Sequence, residues 1–279
     1  MSSSAASKIE FDVAEKNGSR NCYRVNKSEQ HSLEWHASRV GCQTSSETAA
    51  AIDMSSFASP HTTALSCSGL LKKRFSAAAV ARMDHGTKVE PIARREYERK
   101  RNTRVVELGL AVPLWETRIG TSTDGVNIGP HQEQYTGVTL EKVSKIEDQT
   151  EVKSTNWWEE AGLADSIRKA RGIIEIKGPE TMYPKLEAHA AAVFSGVVFP
   201  PFYHEHIDAK HYIQMQVCMR ILDKDWCDYI VYATNSQQIY IERVPFYPDC
   251  WDGFIWPRLQ TFLNVLLEPC MAQVGNQKM

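Results

Sequence analysis

The sequence predicts an α/β fold, a layered domain in which a central group of strands is flanked by helices. Three observations carry that expectation. Apolar runs of strand type cluster at 104–120, 172–178 and 226–244. Helix-type patterns bracket those runs on both sides, which fits helices layered on a sheet. The composition, 279 residues with 42% hydrophobic and 24% charged, is that of an ordinary globular chain and suits one large domain with additions or two small ones.

Taken in order, residues 1–28 are rich in Ser, Ala and Lys with weak periodicity, and read as a flexible N-terminal tail ahead of a domain spanning 29–279. "SEQHSLEWHASR" (28–39) is helical in pattern. "TSSETAAAI" (44–52) opens a second helix with a Thr44-x-x-Glu47 capping box. "GTKVEPIARREYERKR" (86–101) is a third helix, provided Pro91 falls in its first turn, where a missing N–H is tolerated. Strands follow at 104–110, 111–120 and 172–178. Between the last two lies a long stretch with a helix pattern near 154–170. Residues 207–222 have helical character, 226–234 and 237–244 pair through a short Asn-Ser turn, and 254–269 form an amphipathic closing helix.

No run of about 18 uncharged apolar residues exists, so no membrane-spanning helix is expected. The first 20 residues lack an apolar core and do not read as a signal peptide. Seven scattered cysteines, without C-x-x-C, point to reduced thiols and an intracellular setting rather than a disulfide framework or zinc ribbon. The net charge of −2 excludes a protein that is basic all over, although "LLKKRF" (71–76) and "RREYERKRNTR" (94–104) are local basic clusters.

The chemistry lies in "RGIIEIKGPE" (171–180). On a strand, Ile174 and Ile176 face one way while Glu175 and Lys177 project together from the other face. "IGTSTDGVNIG" (119–129) sets Asp124 at a strand end, giving the order D…E-x-K. Two such acids can grip a hard divalent cation through oxygen, the Ile176 backbone carbonyl can add a ligand, and Lys177 can hold or help deprotonate an attacking water. The competing reading of E-x-K is a strand-edge ion pair worth at most about 1 kcal/mol.

Five ordered blocks around this pair decide between the two. "EWHASRVGCQTSS" (34–46), "HGTKVEPIARREYE" (85–98), "STDG" (122–125), "EIKGP" (175–179) and "YIQMQ" (212–216) together resemble the phage lambda exonuclease / YqaJ-type viral recombinase family of the PD-(D/E)XK nuclease superfamily, over about 31–265. The resemblance implies a restriction-endonuclease-like core, a mixed sheet flanked by helices. It implies Mg²⁺ or Mn²⁺ held by Asp124, Glu175 and the Ile176 carbonyl, with Lys177 as catalytic lysine. Glu90 would be a helix acid reaching the site, and Gln214 the active-site glutamine. Arg39, Ser46 and Ser122 would hold the 5′-phosphate of a DNA end, for which a guanidinium fork and two hydroxyls are chemically suited. Partners implied are double-stranded DNA ends, a ring-shaped homotrimer and a single-strand annealing protein.

Plainer readings stand beside these roles. Glu90 can form an exposed i,i+4 pair with Arg94, and Ser46 lies in the helix-start signature. Helical spacing puts Glu90 on a stripe with Ala93 and Tyr97, whereas Gln216 lies about 200° round from Gln214 and cannot share its face. The aromatic or imidazole partner of Gln214, His211 or Tyr212, stays open.

The chain departs from the family pattern at three places. Thr123 stands for the usual Pro, Gly178 for a bulkier residue, and Glu175 comes 51 positions after Asp124. Roughly 40 residues are therefore inserted, about 126–171. The insert carries Trp157, Trp158 and "SIRKAR" (166–171), and is read as a DNA-contacting element, a packing ornament or an oligomer contact. "HEH" (204–206) with His211 lacks zinc-protease spacing and is set aside, and no phosphate-binding P-loop is present.

The expected function is a metal-dependent 5′-to-3′ exonuclease that releases mononucleotides from duplex DNA ends in viral-type recombination, replication or repair. The alternatives are an endo/exonuclease acting on DNA or RNA, as the related herpesvirus-type alkaline nucleases can, and a catalytically idle nucleic-acid-binding protein on the same fold.

Overall fold

The computed structural model describes residues 8–9, 23–26, 30, 32–129, 135–143, 162–199 and 204–276. Strands β1 (Lys8–Ile9) and β2 (Tyr23–Asn26) precede helix α1 (Leu33–Ser38), strand β3 (Gln43–Thr44) and helices α2 (Thr48–Ala51), α3 (Pro60–Cys67) and α4 (Ala77–Arg101). Next come strands β4 (Val105–Val106), β5 (Ala111–Pro113), β6 (Ile119–Gly120), β7 (Gly125–Asn127) and β8 (Val138–Lys142). Helix α5 (Ala164–Lys169), strand β9 (Gly172–Lys177), helices α6 (Pro184–Phe194) and α7 (Ala209–Leu222), and strands β10 (Trp226–Ala233) and β11 (Gln238–Pro245) follow. A final helix, α8, runs over 248–276 with two wider π-type turns, Trp251–Ile255 and Phe262–Leu267.

The central sheet is six-stranded and mixed, in the order β4-β7-β9-β10-β11-β8. Only β9 and β10 pair in parallel, and helices α6 and α7 make the crossover between them. This is the helix-flanked mixed sheet expected from sequence. Its two faces explain the strand patterns. On one face, Ile174, Ile176, Ile230, Ile239 and Ile241 pack against Val89, Ala93 and Tyr97 of α4, which recur at the i, i+4 spacing of one helix face. The opposite face carries Ile173, Tyr229, Tyr240 and Val244 against α7, which is buried almost all round between the sheet and other helices.

Several expectations need correction. Tyr23–Asn26 is not tail: it pairs with Ala111–Pro113, and its alternation buries Tyr23 and Val25. The Thr44 capping box does not form. Ser45–Glu47 is a 3₁₀ turn without a side-chain cap, because the Thr44 hydroxyl is engaged by Arg39 at 2.9 Å. Helix α4 starts at Ala77 rather than 86, capped by the Ser76 hydroxyl, so Pro91 sits in its interior and removes one helical donor. Of the helix expected near 154–170, Ala164–Lys169 is helical; Trp157 and Trp158 lie outside the described residues. Among the described residues no helix is long and apolar enough to cross a membrane, and six cysteines are free thiols.

Candidate active site

Strand β7 begins at Gly125, paired opposite Ile174 of β9. Asp124 therefore stands one residue before the ladder, and its Oδ2 accepts the Ile176 amide N–H at 2.6 Å. In an antiparallel pair, a residue's N–H and C=O point to the same side, so the Ile176 carbonyl also faces the Asp124 edge. Thr123, standing for the expected Pro, fastens this junction: its buried hydroxyl donates to the Ile174 carbonyl at 3.0 Å.

Glu175 is 1% exposed and points to the α7 face. Its Oε1 accepts from the Lys177 ammonium at 2.5 Å and from the Gln214 amide at 2.7 Å. Its Oε2 is buried with no hydrogen-bond partner. A lone-pair oxygen left bare in the interior is costly unless something outside the chain engages it. Burial pushes the Glu175 carboxyl up to about 7, with Asp124 adding to the shift and Lys177 opposing it. For Lys177, burial alone acts downward, but the Glu175 and Asp124 carboxylates outweigh it and hold the ammonium above its ordinary range.

From the other side of the sheet, α4 brings Glu90 to the same place. Gly178 permits the approach: a Cβ there would lie 2.6 Å from Val89 Cγ1, which belongs to the α4 face that packs on the sheet. The buried stripe is Val89–Ala93–Tyr97, not Glu90–Ala93–Tyr97, so Glu90 sits at its border, half-buried. The Arg94 pair exists at 2.6 Å, yet it is not a surface pair, since Arg94 also bonds Glu107. Burial, then the Asp124 charge, lifts Glu90 to about 8. Gln216 turns away, bonding the Pro245 carbonyl at 2.9 Å and the Tyr247 N–H, as the helical angle requires. His211 contacts the Tyr229 hydroxyl at 3.0 Å, and Tyr212 stacks on His204.

Arg39, Ser46 and Ser122 also come together. The Arg39 guanidinium lies 4.3 Å over the Trp35 ring and donates to Thr44 Oγ1, which is 3.3 Å from Ser46 Oγ. The Trp35 indole N–H donates to Ser122 Oγ at 3.2 Å. Ser122 precedes Asp124 by two residues, so this cluster adjoins the carboxylates. Sequence reasoning missed the residues that hold it together, Trp35 and Thr44, although both stand in the block that carried Arg39. It also missed Lys73, which bonds Glu47 and whose ammonium is drawn down first by burial and then by Arg39.

Comparison with known proteins agrees with this fold. An alkaline exonuclease from Laribacter hongkongensis (LHK-Exo) superposes with a TM-score of 0.54 at 23% identity, covering 88% of this chain and 98% of that one. Its structure in complex with dAMP gives a TM-score of 0.55 at 22% identity, with the same coverage. At that identity the likeness shows the fold alone. No curated protein matches the sequence. The model of the YqaJ-like viral recombinase domain matches residues 34–225. That span takes in Arg39, Asp124, Glu175, Lys177 and Gln214, and covers well over half the sequence, so the chain belongs to the YqaJ-like viral recombinase domain family.

Proposed function

We propose that the protein is a divalent-metal-dependent exodeoxyribonuclease that degrades duplex DNA from 5′ ends and releases mononucleotides. The observation that carries this reading is the bare, buried Glu175 Oε2 beside Asp124. Together with the Ile176 carbonyl they make an all-oxygen donor set of the kind hard cations take, which fits Mg²⁺ or Mn²⁺. Such an ion, when bound, would neutralise charge developing on the phosphoryl group and acidify water.

The chain's own groups divide the remaining work. Gln214 fixes Glu175 Oε1 and so orients Oε2. Lys177, held charged by its two carboxylates, donates hydrogen bonds to the attacking water or to a phosphoryl oxygen. Glu90, at the border of the buried stripe of α4 and within the field of Asp124, is a carboxyl placed to take or return the nucleophile's proton. Arg39, Ser46 and Ser122 grip the terminal 5′-phosphate and set the scissile bond against the carboxylates. The Laribacter exonuclease was solved with dAMP, a mononucleotide, which supports mononucleotide release.

A ring-shaped homotrimer, a single-strand annealing partner and an intracellular site of action belong to the same reading, on the family resemblance and on the free thiols. The test is hydrolysis of linear duplex bearing 5′-phosphate or 5′-hydroxyl ends, with and without Mg²⁺, beside a covalently closed circle. Mg²⁺-dependent cleavage of the linear 5′-phosphorylated duplex alone is expected, with the phosphate preference lost in Arg39→Ala. Cutting of the circle, or an Asp124→Asn variant as active as wild type, would overturn it.

A further inference from the structure

A second cluster of ligating side chains lies away from the nuclease carboxylates. His189 of α6, His206 in the turn before α7 and Glu242 of β11 each offer one ligand atom, all within 4.8 Å of one another. The two imidazoles are stacked at 3.5 Å with their planes 2° apart. Glu242 Oε2 contacts His206 Nε2 at 2.7 Å and accepts from the Tyr240 hydroxyl at 2.6 Å. Glu242 Oε1 lies 3.6 Å from His189 Nε2, too far for a hydrogen bond. Three candidate ligand atoms thus lie close together, and an ion would take Glu242 from its hydrogen bond to His206 and turn the stacked rings so that both imidazole lone pairs meet it.

The surroundings hold further unmet capacity. His206 Nδ1 and both ring nitrogens of His204 are buried with no hydrogen-bond partner. The His204 ring centre is 6.0 Å from that of His206. A cleft of about 440 Å³, lined by Lys185, Phe199 and Glu205 together with His189 and His206, gives a route in.

We propose that His189, His206 and Glu242 form a second metal centre, which takes a zinc-class transition ion and leaves the fourth position to water beside His204. Two imidazoles and one carboxylate are a borderline donor set suited to zinc, unlike the all-oxygen set at Asp124 and Glu175. Tyr240 orients the carboxylate, as a hydrogen-bonded neighbour of a metal ligand does. The centre is separate from the nuclease site. Glu175 and Glu242 are both paired with Tyr229, so they stand on one sheet face two strands apart, about 10 Å at strand spacing. A two-metal catalytic pair would need about 4 Å. The histidine pattern set aside in the sequence named His211, which the structure sends to Tyr229 instead; the missing ligands came from α6 and β11. The ion would tie the crossover between β9 and β10 to the sheet.

The test uses the full chain, stripped with a chelator and dialysed. Titration with Co²⁺ is expected to give the intense visible bands of a four-coordinate site, displaced by Zn²⁺ but not by Mg²⁺, and zinc is expected to raise the unfolding temperature. Asp124→Asn and Glu175→Gln should keep those bands; His189→Gln and Glu242→Gln should lose them, and Tyr240→Phe should weaken Co²⁺ affinity about 10-fold. Wild-type protein that gives no four-coordinate Co²⁺ spectrum overturns the proposal whatever the variants do. Bands that vanish in Asp124→Asn but persist in Glu242→Gln overturn it as well.

Discussion

Gly178 directly follows the strand that carries Glu175 and Lys177, and a methyl group there would sit 2.6 Å from Val89 Cγ1 and 2.8 Å from Val89 Cβ. Carbon atoms rest at about 3.5–4.0 Å, so Gly178→Ala forces α4 or the strand end to yield by about 1 Å. The neighbouring residue on α4 is Glu90. Overpacking of this kind costs about 1–3 kcal/mol of stability. A displacement of about 1 Å at a reacting site costs on the order of 100-fold in rate. The assay pairs single-turnover hydrolysis of 5′-phosphorylated duplex with urea unfolding of the same protein. The double variant Gly178→Ala/Val89→Gly removes both close atoms but adds a helix-interior glycine, worth about 1 kcal/mol against alanine. It should therefore recover rate without recovering stability. If Gly178→Ala hydrolyses within twofold of wild type, or if rate and stability return together in the double variant, close helix approach is not what positions Glu90.

Three further outcomes follow from buried groups. Glu175 and Glu90 are raised to about 7 and about 8 by burial and by neighbouring carboxylates, so the cation-free native state binds more protons than the unfolded chain above pH 4.5. Their contribution to stability should be lost as pH rises from 4.5 to about 8, and melts with chelator should show that loss while added Mg²⁺ reverses it with proton release; a flat chelator profile would count against it. Lys224 is buried, donates to the Ile167 and Ala170 carbonyls at 2.9 and 2.7 Å, and is drawn down by burial to about 8. Its contribution should rise with pH between about 8 and 10.5, and Lys224→Met should remove that trend and cost about 1–3 kcal/mol in urea titrations through the orphaned carbonyls. Asp228 accepts from the Arg243 guanidinium at 2.8 and 2.9 Å and from the Tyr97 hydroxyl at 2.7 Å. Asp228→Asn removes the carboxylate that Arg243 and Tyr97 share and should cost about 1–3 kcal/mol, read as a lower urea midpoint at unchanged m; no measurable loss would refute the pairing.

What the sequence disclosed about this site follows the range of its interactions. That Glu175 and Lys177 share a face was legible because strand alternation is a local property, whereas Asp124 and Gln214 were paired with them through the family resemblance; the structure brings the four side chains together. Arg94 and Glu90 were legible as a pair, but its burial was not, because that depends on Gly178 admitting α4 from far along the chain. The strand Tyr23–Asn26 was missed because its partner, Ala111–Pro113, lies almost ninety positions away and four residues give too short an alternation to read. The Thr44 box misled for a different reason: the signature was present, but the Thr44 hydroxyl bonds Arg39, five residues earlier, and the Glu47 carboxylate instead of a backbone N–H of the turn. The histidine cluster drew its ligands from three elements, and no spacing rule joins them.

The insertion between Asp124 and Glu175 stood as the least determined part of the sequence, and its described residues point to a bracing role. Strand β8 leaves the β7 edge and joins the opposite edge of the same sheet, beside β11. There Thr139 accepts from Arg101 at 3.0 Å and Glu141 bonds Lys100, both in the last turn of α4. The Arg101 guanidinium lies 3.4 Å over the Tyr135 ring, and the Tyr135 hydroxyl donates to the Ile241 carbonyl at 2.8 Å. The insert therefore clamps the C-terminal end of α4 to the far edge of the sheet, while Gly178 and Val89 set the helix nearer the carboxylates. A long helix fixed at two points cannot pivot freely about Pro91, the interior residue where a donor is missing. Glu90 stands next to that proline. Weakening the distant clamp, as in Tyr135→Ala, should therefore slow hydrolysis while leaving Arg39-dependent end binding unchanged. An insert that contacted DNA would do the reverse, and the ratio of the two effects separates bracing from contact.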